Sequence, residues 1–241
     1  LGFPVWLEVL RHPRRPSRWS VHARLTLLAT AVLLVAGMVT ITAFEWTNPA
    51  TLGALSVPDR LVNGAFAGVM PRTAGFNALD YGAFGQDSLL FTDMLMFAGG
   101  GSGSVAGGIK VTTFALLLLV VWAELRGEAE VNAFNRRIPA PVQRQALTLA
   151  VISVNAVAIG TLIVLATNDV TLAVALFEVM AAFTTAGLST GITADLNSTG
   201  HAVLMVLMFL GRVGPLTLGV ALVLRERERL YSNPEERPLI G

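Results

Sequence analysis

Two copies of one tripeptide, Thr-Ala-Gly, carry the residue types best suited to chemistry in this chain. A cation can lose its water only if other oxygens replace it, and backbone carbonyl groups do so where the chain leaves helical geometry. Small residues allow the close approach that this needs, and glycine permits the turn. We therefore predict that both segments offer carbonyl ligands to a dehydrated cation. The predicted ligand segments are Thr73, Ala74, Gly75 and Phe76 in the first copy, and Thr185, Ala186, Gly187 and Leu188 in the second.

A single Thr-Ala-Gly is more often a turn or a helix–helix contact. The two copies become informative through the segments on either side of them. Each copy follows an amphipathic run that is too short to cross a bilayer, residues 58–70 or 171–183. A longer apolar run, which can cross it, comes after each copy. This order is typical of a re-entrant pore loop, in which the short helix points the negative end of its dipole toward the ion.

The composition is that of a membrane protein. Hydrophobic residues make up 54% and charged residues 14% of the 241 residues, and the mean hydropathy is +0.65, far from the averages of soluble domains. Cysteine is absent, which excludes disulfides, thiol chemistry and thiolate metal sites. The basic start of the chain adjoins an apolar run, so contact with anionic membrane lipid explains it better than nucleic acid does.

The apolar runs predict an all-α integral membrane protein with four spans and two re-entrant pore helices. Span, short helix, Thr-Ala-Gly loop and span follow one another twice, with Thr73 and Thr185 at equivalent positions. We accordingly divide the chain into two tandem span–pore-loop–span repeats, residues 1–128 and residues 129–241, the second ending in a cytoplasmic tail. The predicted spans are residues 25–44, 88–125, 141–166 and 202–224.

Glycines interrupt the second predicted span near its middle, over residues 99–108, which we call the glycine loop. So many glycines oppose a continuous helix, and a break at membrane depth is tolerated only beside protein or a water-filled cavity. We expect a flexible intramembrane loop. Lys110 lies at its end and Arg212 inside the last span, and charges at this depth are functional candidates. The loop residues of interest are Gly99, Gly100, Gly101, Ser102, Gly103, Ser104, Gly107 and Gly108.

Basic residues predict the orientation in the membrane. Arginines cluster before the first span, between the repeats and in the tail, so the positive-inside rule places these segments and both termini in the cytoplasm. The opposite side holds Glu45 and several aspartates, which either are ordinary solvated loop acids or concentrate cations at a pore mouth. We expect a multi-pass protein of the inner or plasma membrane of the cell.

Four longer motifs carry a family resemblance. They are RTAGFN at residues 72–77, GGGSGSVAGGIKVTT at 99–113, TTAGLSTG at 184–191 and GRVGPLT at 211–217. With them the chain resembles the C-terminal half of the Trk/Ktr/HKT superfamily of potassium transport subunits, in particular its TrkH and KtrB branches. The resemblance covers essentially the whole chain, and the ending NPEERPLIG is more similar to the Ktr branch.

The resemblance implies a function for each motif. In that superfamily four span–loop–span repeats surround one pore, so the two present here would be the third and fourth and would supply half of the potassium selectivity filter. The glycine loop, with Lys110 and Arg212, would form the gate below the filter, and Arg212 would act as an electrostatic barrier. The resemblance also implies potassium as the substrate, no further metal or cofactor, a homodimer, and a cytoplasmic nucleotide-binding regulatory ring.

Two other functions stay open at this point. Residues 100–103 match the Gly-x-Ser-Gly form of rhomboid-type intramembrane serine proteases, with His201 as the candidate base. This enzyme needs Ser102 within hydrogen-bond reach of His201, whereas the predicted topology places them at different depths. A broken-helix secondary carrier would also explain the glycine break, although parallel repeats with re-entrant loops fit a pore better.

The chain starts at Leu1 rather than at a methionine, so we expect an N-terminal part to be missing. No catalytic residues are predicted. Potassium and sodium both remain candidate ions, and channel-like flow and ion-coupled symport both remain candidate modes of transport.

Overall fold

The computed structural model describes the backbone of residues 1–224 and the side chains of residues 1–16 and 18–213. This part of the chain is mostly helical, and a hairpin of β1 (Asn132–Ala133) and β2 (Arg136–Arg137) joins two of the helices. The predicted tail at residues 225–241 lies outside the described residues. The helices are α1 (Phe3–Arg11), α2 (Val21–Glu45), α3 (Val57–Val69), α4 (Gln86–Phe97), α5 (Val111–Leu125), α6 (Ala140–Thr167), α7 (Leu172–Thr184) and α8 (Ser198–Leu224).

Among the described helices, α2 and α6 are long and apolar enough to cross a membrane by length and composition. They contain 25 and 28 residues, and their most apolar windows have mean hydropathies of 2.3 and 2.4. The hydroxyl of Ser20 starts α2 by accepting from the amide of Ala23 at 3.2 Å. Pro141 lies in the first turn of α6, where its missing N–H costs nothing.

The helices α3 and α7 are short, with 13 residues each. At about 1.5 Å per residue they reach only about 20 Å, less than the hydrocarbon core of a bilayer. Ser56 starts α3 by accepting from the amide of Asp59, and Pro58 occupies the first turn. Both helices end shortly before a Thr-Ala-Gly segment, the first of which is partly exposed and the second largely buried.

Residues 88–125, predicted as one interrupted span, form the two helices α4 and α5, of 12 and 15 residues. The glycine loop lies in the non-helical backbone between them. An isolated parallel bridge between Ala98 and Ile109 closes the neck of this segment. The chain therefore leaves the helix at glycine and returns beside its point of departure.

The core sits around α7, which packs against α4, α6 and α8, while α2 packs against α3, α4 and α5. Phe177 and Val179 of α7 are fully buried, and the rings of Tyr81 and Phe177 lie 5.6 Å apart between centroids. Large apolar side chains on the outer faces of α2, α6 and α8 stay exposed, as expected for helices that meet lipid or further protein. The second Thr-Ala-Gly segment thus lies closer to the core than the first.

The sequence did not predict α1 or the β-hairpin. α1 is amphipathic, because Val5 is completely buried whereas Phe3, Trp6 and Leu10 are more than half exposed. A proline in the first turn and apolar residues on one face are signals of a short helix, and Pro4 provides the first of them. Its apolar surface and the arginines that follow it are typical of a helix lying in a membrane interface.

Glu45 is buried, whereas the sequence suggested a solvated acid on the outer side of the membrane. It is 1% exposed and accepts hydrogen bonds from the side chains of Asn48 at 2.7 Å and Thr51 at 2.5 Å. The amide of Gly85 also donates to it, at 3.0 Å. The carboxylate therefore joins the end of α2 to the turn before α4, because a buried charge is tolerated only when donors surround it.

Candidate ion site

Both Thr-Ala-Gly segments follow the same unusual backbone path. Thr73 and Thr185 have positive φ angles of 65° and 54°, and Gly75 and Gly187 have φ angles of 72° and 83°. A β-branched residue at positive φ is strained, so the surrounding structure must hold each threonine there. This path takes the backbone out of the helix and leaves its carbonyl groups able to coordinate a cation.

The two segments meet each other. A Cβ built on Gly75 would lie 2.7 Å from the carbonyl oxygen of Ala186, and one built on Gly187 would lie 3.4 Å from the Cα of Gly75. Glycine at position 75 is thus required by space as well as by φ. Within residues 1–224, no group of three histidine or acidic side chains could hold a metal ion. The cation ligands expected from the sequence are the backbone carbonyls of these segments.

The two segments differ in burial. Ala186 and Leu188 are 2% and 5% exposed, whereas Phe76, which corresponds to Leu188, is 69% exposed. A cavity of about 390 Å³ lies beside the second segment. Its lining includes Glu178, Thr185, Gly187, Leu188 and Met208.

Arg72 ties the first segment to α2. Its guanidinium donates to the carbonyl oxygen of Thr30 at 2.9 Å and approaches the hydroxyl of the same residue at 3.5 Å. A planar guanidinium can bind two acceptors at once. The residue next to Thr73 is therefore fixed to the long apolar helix α2.

Glu178 holds the second segment from the side of α7. The carboxylate is 3% exposed and accepts from the hydroxyl of Ser189 and from the amide and hydroxyl of Thr190, at 2.7 to 2.9 Å. Its second oxygen accepts from the hydroxyl of Thr193 at 2.7 Å. Sequence reasoning missed this residue. The available signal was an ionisable side chain within an apolar helix, which is a functional candidate by default.

Hydrogen bonds within the glycine loop give it a defined shape. The amide of Gly99 donates to the carbonyl of Ile109 at 3.0 Å across the neck. The hydroxyl of Ser104 donates to the carbonyl of Gly101 at 2.6 Å. These bonds satisfy backbone groups that the helix break leaves without helical partners.

The glycine loop contacts the second Thr-Ala-Gly segment directly. The amide of Gly107 donates to the hydroxyl oxygen of Thr185 at 3.0 Å, and a Cβ built on Gly107 would lie 2.5 Å from that oxygen. The amide of Gly108, a residue with φ of 64°, donates to the carbonyl of Gly211 on α8 at 2.9 Å. The loop is thus fitted between the candidate ion segment and the last helix, and glycine makes this fit sterically possible.

The two cations singled out from the sequence both contact the glycine loop. The guanidinium of Arg212 donates to the carbonyl of Val105, and the ammonium of Lys110 donates to the carbonyl of Ala106. Two consecutive carbonyls therefore receive two positive charges. Each charge is partly compensated by a backbone dipole, which lowers the cost of keeping it at this depth.

The start of the chain also contacts the glycine loop. The amide of Phe3 donates to the carbonyl of Gly103 at 3.2 Å. A Cβ built on Gly101 would lie 2.9 Å from the amide nitrogen of Gly2, and one built on Gly103 would lie 2.8 Å from Cδ of Pro4. The first turn of α1 is therefore packed against the loop backbone with no room for larger residues.

Glu8 connects the middle of α1 to the start of α2. Its carboxylate accepts from the hydroxyl of Ser20 at 2.7 Å and from the amide of the same residue. Burial raises the pKa of Glu8, but the bonds from Ser20 and the nearby His22 and His12 together hold that pKa below its ordinary value. α1 is thus attached at one point to the loop and at another to a long membrane helix.

The structure does not support the serine protease alternative. The hydroxyl of Ser102 is hydrogen-bonded to the hydroxyl of Thr112 at 2.8 Å. The imidazole of His201 contacts the carbonyl of Asn197 at 3.1 Å, in the first turn of α8. Because Ser102 and His201 bond to other partners, the pair that this alternative requires is not formed.

Comparison with known proteins decides the family. The family model described as TrkH, a cation transport protein, matches residues 2–232. The chain belongs to this family. Ktr system potassium uptake protein B of Bacillus subtilis is 41% identical over 217 residues, which are 90% of this chain and 48% of that protein.

Two further comparisons extend this result. Potassium/sodium uptake protein NtpJ of Enterococcus hirae is 35% identical over 247 residues, covering 100% of this TrkH-family chain and 54% of that protein. The crystal structure of the potassium transporter TrkH from Vibrio parahaemolyticus matches with a TM-score of 0.70 at 20% identity, over 93% of this chain and 48% of that one. The fold is thus that of a helical membrane transporter, and the predicted resemblance is confirmed. The chain spans about half the length of the curated relatives it matches.

Proposed function

We propose that this TrkH-family chain forms half of a potassium-selective pore, through which ions pass down their electrochemical gradient between backbone carbonyls. The observation that carries the proposal is the meeting of two left-handed Thr-Ala-Gly turns around Gly75 and Gly187. The relatives named as potassium or potassium/sodium uptake proteins support a monovalent cation as the substrate. No catalytic residue and no cofactor is needed for this function.

The proposed architecture consists of two tandem span–pore-loop–span repeats, residues 1–128 and residues 129–241. In each, a long helix is followed by a short helix, a Thr-Ala-Gly turn and a further helix, which supports the division. The short helices α3 and α7 direct their negative ends toward the turns and so favour a cation there. Arginines before α2 and between α5 and α6 support a cytoplasmic position for those segments and for both termini.

The glycine loop is the proposed gate. Its contacts with Thr185, Gly211 and Arg212 support this role, because each joins the loop to an element beside the candidate ion segment. The guanidinium of Arg212 would repel a cation below the filter, and Lys110 would add to that barrier. Displacement of the loop would move both charges away from the pathway.

The complete transporter would also have protein and lipid partners. The Bacillus subtilis relative is named as protein B of a Ktr system, which supports work with other subunits. A homodimer and a cytoplasmic nucleotide-binding ring are the proposed assembly. Anionic lipid is the proposed partner of the basic segment around α1, since its exposed apolar side chains and arginines suit a membrane interface better than nucleic acid.

The filter assignment is tested by Gly187→Ser and Gly75→Ser in the complete transporter that contains this chain. A side chain at these positive-φ positions strains the turn and adds a hydroxyl that competes for the ion. We expect the potassium-to-sodium flux ratio to fall by about tenfold, equivalent to about 1.4 kcal/mol of discrimination. The ratio is measured in proteoliposomes with each ion in turn.

Gly127→Ser is the matched control. Gly127 has a positive φ angle of 66°, and a Cβ built on it has nothing within 4 Å. The variant introduces strain at a positive-φ position away from the two segments, so its flux ratio should equal that of the parent. An unchanged ratio in the two filter variants would contradict the proposed function.

A further inference from the structure

Glu178 occupies a position that links the proposed filter to its pore helix. It lies on α7, before Thr185, and its side chain turns toward residues that come after Leu188. Two hydroxyls and one amide donate to one carboxylate oxygen, and a third hydroxyl donates to the other. These four bonds meet the requirement that a buried carboxylate be surrounded by donors.

The bonds of Glu178 hold the residues that follow the second Thr-Ala-Gly segment. The start of the segment is held by the same helix, because the amide of Thr185 donates to the carbonyl of Ala182 at 3.1 Å and the amide of Ala186 to that of Ala181 at 2.9 Å. The segment between is therefore fixed to α7 at both sides. The carbonyl groups of a segment that is fixed at both ends keep their spacing when the bound ion changes.

The first segment has no equivalent carboxylate. The residue seven positions before Thr73 is Phe66, which is 37% exposed, whereas Glu178 holds that place before Thr185. The first segment instead depends on Arg72 and its bond to Thr30 of α2. The two halves of the proposed filter are thus supported differently, one from its own short helix and one from a spanning helix.

We propose that Glu178 is the positioning residue that sets ion discrimination in the second half of the filter. This rests on the proposed function. A smaller ion such as sodium is coordinated well only if the carbonyls move inward, and the four bonds of Glu178 oppose that movement. Potassium, which fits the existing spacing, needs no movement and is not affected.

The test is the potassium-to-sodium flux ratio of Glu178→Gln and Glu178→Asp in the complete transporter. Glutamine keeps the length but replaces one acceptor oxygen by an NH2 group and removes the negative charge, so the bonds to the donors lose their charge assistance. Aspartate keeps the charge but is shorter by one methylene and cannot reach all four donors. We expect a fall in the ratio of about tenfold in both variants, which is about 1.4 kcal/mol, with potassium flux largely retained.

Glu45→Gln is the matched control. Glu45 is also a buried glutamate that accepts several hydrogen bonds, but its partners lie at the end of α2 and in the turn before α4. A merely structural effect would lower thermal stability in both glutamine variants and leave the ratio unchanged. A ratio in Glu178→Gln equal to that in Glu45→Gln therefore overturns the inference.

Variants of the individual hydrogen-bond donors provide a second test if a Glu178 variant does not insert into the membrane. Thr193→Val and Ser189→Ala each remove one bond to the carboxylate and leave the other three. Each should lower the flux ratio by a smaller factor, and unchanged ratios in both would overturn the inference. If Gly187→Ser lowers the ratio while the Glu178 and donor variants do not, this inference fails and the proposed function stands. If Gly187→Ser has no effect either, the proposed function itself fails.

Discussion

At the residue scale, Thr73 and Thr185 are the most constrained positions of the proposed filter. Each is a β-branched residue in left-handed backbone, a conformation that costs roughly 1–2 kcal/mol. The bonds from residues 185 and 186 back to the last turn of α7 hold the second threonine. Strain of this kind is retained where surrounding bonds over-determine the backbone, which is common at binding sites.

Arg212 gives a prediction at the same scale. Arg212→Gln should raise cation flux through the complete transporter by about tenfold, because it removes both a charge and a charge-assisted bond to the carbonyl of Val105. Arg212→Lys keeps the charge but loses the fork of donors, so much of the barrier should remain with weaker regulation. Flux in single vesicles, normalised to protein content, measures both effects.

Arg126→Gln is the control for this pair. Arg126 follows α5 and stacks on the ring of Trp122, with 4.6 Å between the guanidinium carbon and the ring centroid. Its loss removes a cation away from the glycine loop and should leave flux unchanged. Equal flux in the parent, Arg212→Gln and Arg212→Lys would remove Arg212 from the gate.

At the element scale, α1 acts as a brace between two other elements. Its first turn contacts the glycine loop through the amide of Phe3, and Glu8 binds the start of α2. A helix held at two points transmits displacement from one to the other. α1 is therefore placed to pass a movement at the start of α2 to the loop.

Gly2→Val tests this brace. A Cβ on Gly2 would overlap the carbonyl oxygen of Ser102, so valine should push α1 away from the loop. We expect amide hydrogen exchange in residues 99–108 to become faster by roughly tenfold, corresponding to about 1.4 kcal/mol less protection. Exchange is followed by mass spectrometry of peptides from the complete transporter.

Phe3→Ala is the matched change for Gly2→Val. The side chain of Phe3 is 67% exposed and only its amide bonds to the loop, so alanine keeps the contact. Exchange in the glycine loop should then match the parent. Equal exchange in all three proteins would show that α1 does not restrain the loop.

The elements differ in how far the sequence could predict them. The ends of α2, α3 and α6 follow from local signals, namely apolar length, Ser or Pro at the start, and polar residues or a following proline at the end. The contact between Gly107 and Thr185 joins residues 78 apart in the sequence, and the partners of Glu178 come from a turn beyond its helix. No local pattern encodes such contacts, because they depend on how helices pack. α1 was missed because its apolar spacing is short and precedes a stronger apolar run.

At the scale of the whole molecule, the chain presents half of a proposed pore. It covers about half of each curated relative, and the lining of the cavity beside the second segment includes Gly187 and Met208. A closed ring of carbonyls needs further segments facing these two. The remaining ligands would come from the other half of the transporter.

Residues 1–241 alone should therefore give no potassium-selective flux in proteoliposomes. Two filter segments leave one side of a dehydrated ion without protein ligands, and water there would erase the difference between potassium and sodium. The complete transporter, reconstituted in the same lipid at equal protein content, is the comparison. Selective flux from the isolated chain would instead mean that copies of it close the ring among themselves.

The bond from the amide of Gly107 to the hydroxyl of Thr185 has a further consequence. An ion site and a loop that share a bond form one linked equilibrium, in which each changes the other by the same factor. Any cytoplasmic partner that moves the loop would change the affinity of the pore for its ion. By reciprocity, an ion held in the pore would change the affinity for that partner. In the proposed pore, the transported cation would thus act as an effector of the proposed regulator.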